Sequence, residues 1–140
     1  MKERHYLYVA LVTLVANLLF RVILFSYWMV FDAFTMTALV FFNNLSVLVF
    51  WWCLVRVFGR LLWFRVGAIV VILLHPLQGL LYGVPSGRCM ETYVQPFLWF
   101  ELAGYISVIV RNDRWGFALG VVLLAVGAVL EVYLPLASQG

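Results

Sequence analysis

Polar positions along this chain are few, and they cluster so as to cut it into five apolar stretches, residues 6–28, 33–55, 66–83, 92–110 and 115–134. Each is close to the roughly 20 residues that a helix needs to cross the hydrocarbon of a bilayer. Between them lie charged and turn residues: Phe31-Asp32, Arg56 to Arg60, Val84 to Arg88, and Arg111-Asn112-Asp113-Arg114. The pattern predicts an all-α fold, a polytopic transmembrane helical bundle of five spans forming one domain over residues 1–140. The third stretch is the shortest and contains Pro76. A four-span alternative lays one apolar segment along the membrane interface.

Composition agrees and removes other classes. Of 140 residues 66% are hydrophobic and 11% charged, and the mean hydropathy is +1.08. A soluble domain is about 45–50% apolar and about 25% charged. Disordered chains and nucleic-acid binders carry more charge, and secreted disulfide scaffolds carry more cysteine. The net charge of +3 therefore reads as topology and not as a nucleic-acid partner. A cytoplasmic N-terminus puts Lys2, Arg4, Arg56, Arg60, Arg65, Arg111 and Arg114 inside, Arg88 outside and Arg21 within the first span, as the positive-inside rule requires. The C-terminus then lies outside. Tyr6, Trp51, Trp52, Trp63 and Trp115 form an inner aromatic belt; Tyr27, Trp28, Tyr82, Tyr93 and Tyr133 form an outer one. The first span lacks a small-residue cleavage site and contains Arg21, so it is expected to be retained. With short loops and tails, no soluble domain is expected. The sequence fits a multi-pass protein of the cell (inner) membrane, and arginine as eight of nine basic residues suggests a bacterial origin.

Ionisable groups at membrane depth cost about 2.5–3.5 kcal/mol each near a helix centre and mark sites or interior contacts. Asn17, Asn44, His75 and Glu101 fall near the midplanes of their spans, while Arg21, Gln78, Gln95 and Glu131 lie roughly 5–10 Å outward at 1.5 Å per residue. Thr13, Asn17 and Arg21 share one helix face, as do His75, Gln78, Gly79 and Tyr82, and likewise Glu101, Gly104 and Tyr105. Arg21 is expected to pair with Glu131 or Glu101, with snorkelling to the outer surface as the alternative. His75-Pro76 predicts a kink that frees the Ile72 carbonyl. The histidine is then an interior hydrogen-bonding residue, a proton carrier or a ligand. Asn43 and Asn44, about 100° apart, are expected to serve different neighbours, and the indole N–H of Trp99 to find an acceptor near Glu101. Gly116 and Gly120 form a G-x-x-x-G continued by Gly127, a helix-packing stripe within one chain or between chains.

Cys53 and Cys89 fall on opposite membrane faces, too far apart for a disulfide. No thiolate metal set, hydrolase motif, phosphate loop or close carboxylate pair stands out, so a catalytic role and a metal site are not expected. Pro85-Ser86-Gly87-Arg88 reads as a turn. Three functional classes remain. The first is a small membrane subunit assembling with partner or identical chains through its helix faces. The second is a transport component for a solute, a proton or a lipid headgroup, built on Asn17, Arg21, Asn44, His75, Gln78, Glu101 and Glu131. The third is an anchor binding quinone or haem near His75; no particular cofactor is indicated.

Overall fold

A computed structural model describes the backbone of residues 2–26, 31–83 and 85–139, and the side chains of these except 25, 79, 82 and 135–139. The expected belt residues Tyr27 and Trp28, the Tyr82 side chain and Val84 lie outside the described set. The described residues form six α-helices and one 3-10 helix: α1 (Lys2–Ser26), α2 (Ala33–Phe58), α3 (Leu62–Leu73), the 3-10 helix (His75–Tyr82), α4 (Ser86–Thr92), α5 (Pro96–Val110) and α6 (Arg114–Gln139).

Local chemistry sets the helix ends. The Asp32 carboxylate caps α2, accepting from the Thr35 backbone N–H at 3.4 Å and from the Thr35 hydroxyl. At the far end of α2 the Gly59 N–H closes on the Val55 carbonyl at 2.8 Å. Asp113 caps α6, accepting from the Gly116 N–H at 2.8 Å while its other oxygen pairs with Arg111 at 2.9 Å. These contacts hold the Asp113 carboxyl below its ordinary value, the Gly116 bond first and the Arg111 bond second.

Three helices are long and apolar enough to cross a membrane: the segments Lys2–Leu24, Ala33–Phe58 and Arg114–Leu134. A fourth crossing arises if α4 and α5, bent by 72°, act as one broken span. Prolines account for the departures from five uniform helices. Pro76 lacks the N–H that would continue α3, so the α-helix stops at Leu73 and tightens into 3-10 geometry, ending at Gly83 with φ 82°. The expected 66–83 span is thus a 12-residue α-helix followed by an eight-residue 3-10 helix. Pro96 pushes Gln95 to an extended backbone, φ −79° and ψ 125°, and so separates α5 from α4. The expected turn at Pro85–Arg88 instead opens α4: Pro85 is its N-cap, and its carbonyl accepts from Arg88 and Cys89.

α2, α5 and α6 make the centre, α1 packs chiefly on α2, and α3 packs on α5. One core joins Leu48, Leu102, Val108, Ile109 and Leu124; a second joins Met36, Val40, Ala128 and Val132. The glycine stripe lies within the chain. A Cβ on Gly120 would stand 3.0 Å from the Gly104 carbonyl, and one on Gly104 3.1 Å from the Gly120 carbonyl. A Cβ on Gly116 would collide with the Arg111 carbonyl. These contacts let α5 and α6 approach backbone to backbone.

Polar side chains gather one end of the bundle. Arg65 donates to the carbonyls of Gly59 at 2.6 Å and Ile109 at 3.1 Å, satisfying groups at the ends of α2 and α5. The Asn112 amide donates to the Trp52 and Val108 carbonyls. Trp52 also meets Tyr6 and Phe117 edge to face, with the Arg56 guanidinium 4.7 Å from its ring centre.

Candidate functional site

A cavity of about 1490 Å³ opens between α1 on one side and α3 with the 3-10 helix on the other, its floor formed by α2, α5 and α6. Most of its wall is aliphatic or aromatic, with Leu14, Leu18, Val22, Val71 and Phe97 among the lining residues. All seven residues of the expected polar layer, Asn17, Arg21, Asn44, His75, Gln78, Glu101 and Glu131, also line it. Gln95 does not line the cavity; it caps α5.

The floor carries a continuous row of hydrogen bonds across three helices and ends beside a fourth. Asn17 on α1 donates through Nδ2 to the Asn43 side-chain oxygen at 3.0 Å and to the Ser46 hydroxyl at 3.2 Å. Asn43 donates to the Asn44 side-chain oxygen at 3.2 Å, and Asn44 donates to Glu101 Oε1 at 2.8 Å. The Glu101 carboxyl in turn lies within hydrogen-bonding reach of the Glu131 carboxyl on α6. Adjacent residues on α2 point about 100° apart, which is why Asn43 serves α1 while Asn44 serves α5. Gly127 makes the glutamate contact available: a Cβ there would stand 3.0 Å from Glu101 Cγ.

Two expectations change here. Arg21 pairs with neither glutamate; among the described residues the one ion pair is Arg111–Asp113. The acids face each other instead, forming the close carboxyl pair that sequence spacing did not reveal. A hydrogen bond between two carboxyl groups needs a proton on one of them, because carboxylates only accept. The Arg21 side chain is exposed to the cavity and makes no hydrogen bond or ion pair among the described residues.

His75 stands at the start of the 3-10 helix, partly buried in the cavity wall, and has no hydrogen-bond partner among the described residues. The carbonyl that the proline break offers to a side chain is Leu73's and not Ile72's: Tyr93 donates its hydroxyl to it at 2.7 Å. The Trp99 indole N–H donates to the Tyr93 carbonyl at 2.7 Å, an acceptor in the α4–α5 connection and not beside Glu101. Cys53 and Cys89 are both buried and free, the latter on α4 and not in an exposed loop.

Chemically, the site offers a permanent cation, two neighbouring carboxyl groups, a neutral amide row and an apolar wall. That set suits an amphipathic molecule with a charged end. Among the described residues no group of three or more His, Cys, Asp or Glu comes together to hold a metal ion. Compared with protein families, curated proteins and solved structures, the chain finds no match.

Proposed function

We propose that this chain is a transport component of a membrane, receiving the anionic end of an amphipathic solute in the cavity between α1 and α3. The observation that carries the reading is Arg21, a cation facing a membrane-depth cavity while Glu101 is engaged by Asn44 and lies against Glu131. A cation held without a direct ion-pair partner in such a cavity offers its guanidinium to the head group of an entering anion. Aliphatic side chains around the cavity suit a hydrocarbon tail.

The proposal includes the finer topology: five crossings with the α3–3-10 segment as the third, N-terminus in the cytoplasm, C-terminus outside, in the inner membrane of a bacterium. The basic-residue bias supports it. So does the gathering of Tyr6, Trp52, Arg65 and Asn112 at one end of the bundle.

Thermal unfolding in neutral detergent tests the site. Octanesulfonate at a hundredfold excess over its Kd adds about 2.7 kcal/mol of stability and raises the unfolding temperature, whereas octyltrimethylammonium does not. Arg21→Leu loses the sulfonate effect. Equal shifts with the two surfactants, or an unchanged shift in the variant, overturn the reading.

A second reading, assembly with partner or identical chains, draws on α1. It packs chiefly on α2 and leaves Tyr8, Leu11, Val12, Val15 and Leu19, none of which lines the cavity, exposed. Light scattering of the detergent-purified chain distinguishes an assembled form from a monomer.

A further inference from the structure

Charged and titratable side chains reach the cavity from four of its elements. α1 contributes Arg21, a cation at every accessible pH. The 3-10 helix contributes His75, α5 contributes Glu101 and Tyr105, and α6 contributes Glu131; α2 contributes Asn44, which carries no charge. Two carboxyl groups brought together across the Gly127 contact and holding one proton between them carry a single negative charge. With imidazole and phenol neutral, that charge balances Arg21, and the empty cavity is neutral overall. Adding a monoanion alone leaves the site one charge negative; adding a proton alone leaves it one charge positive. Either imbalance is expensive at this depth, and taking both together restores neutrality.

We infer that the cavity takes up one proton, on the Glu101–Glu131 pair, with each monoanionic amphipath bound at Arg21. The proton forms an O–H bond on the carboxyl group that lacked one, and no bond in the ligand is made or broken. The inference rests on the anion-binding reading above and adds to it the coupled ion and its stoichiometry. A chain working this way draws its anion inward when protons flow inward.

Octanesulfonate is a suitable probe because its head group does not titrate, so any proton taken up must reside on the protein. Calorimetric titration of the full chain in neutral detergent, in two buffers of different ionisation heat, counts those protons. The expected result is about one proton per sulfonate, with affinity falling about tenfold per pH unit once the pair no longer holds its second proton. The double variant E101Q/E131Q keeps the shape and hydrogen-bonding capacity of the pair but not its proton site. It binds the sulfonate without proton uptake and with a flat pH profile. Wild-type binding with no proton uptake overturns the coupling and leaves the anion site standing. Proton uptake that persists in the double variant moves the proton to His75 and also overturns it. Failure of the wild type to bind sulfonate at any pH removes the anion site and the coupling together. Should the double variant not fold, the wild-type proton count decides alone.

Discussion

Asp113 shows how much one short side chain can organise. It accepts the Gly116 N–H, holds Arg111 and starts the last helix in a loop of three residues. Because folding lowers its pKa, its contribution is complete above the unfolded carboxylate value of about 4 and is lost as pH falls through the folded value. Neutral and mildly acidic solutions leave it untouched. The Gly116 amide resonance should therefore titrate with a midpoint below the usual carboxylate range and become insensitive in Asp113→Asn. A midpoint at or above that range contradicts the cap. Asp32 follows the same logic at the start of α2, its carboxyl held low first by the Thr35 hydroxyl.

At the scale of elements, the pairing of α5 with α6 depends on glycine. Gly104 and Gly120 approach through their backbones, and Leu48 of α2 would lie 3.0 Å from a Cβ at position 120. Gly120→Val should therefore destabilise the protein by about 1–3 kcal/mol, the usual cost of overpacking, read as a lower unfolding temperature in detergent. Valine at Gly67, where a Cβ meets nothing within 4 Å, should leave it nearly unchanged. The stripe containing Gly116, Gly120 and Gly127 was readable from spacing alone, since residues three and four apart share a face. Its partner was not readable, because periodicity within one helix carries no information about which neighbour lies against that face. The same gap explains the glutamates. Glu101 and Glu131 were both visible as costly residues at membrane depth, but their contact depends on the space left by Gly127 across a helix interface. The break at Pro76 was partly legible, and the one at Pro96, inside the expected 92–110 stretch, was not. Proline marked the interruption of the third stretch, yet the shift to 3-10 geometry and the separate α4 arise from how the freed backbone groups find new partners such as Tyr93.

For the molecule as a whole, the third segment decides the topology. If α3 and the 3-10 helix cross together, residues 60 and 87 lie on opposite sides of the membrane. Both native thiols are buried, so the test needs C53A/C89A as background. Arg60 is exposed, and a Cβ at Gly87 meets nothing within 4 Å, so both positions accept a cysteine. An impermeant maleimide should label Gly87→Cys on intact cells and Arg60→Cys only after lysis. The opposite order inverts the orientation; labelling of both from one side means that the segment turns back without crossing.

The row of asparagines has one more property: it has a polarity. Asn17, Asn43 and Asn44 each donate forward, so one side-chain N–H of every asparagine in the row points toward Glu101. Aligned amides polarise one another, so the row behaves as a string of small dipoles with its positive ends turned to the carboxyl pair. Whatever charge Glu101 carries is then communicated backward, amide by amide, to Asn17 on a helix to which it makes no direct hydrogen bond among the described residues. The nitrogen resonance of the Asn17 side chain should move when the carboxyl pair gains or loses a proton, although no atom of α1 has changed place.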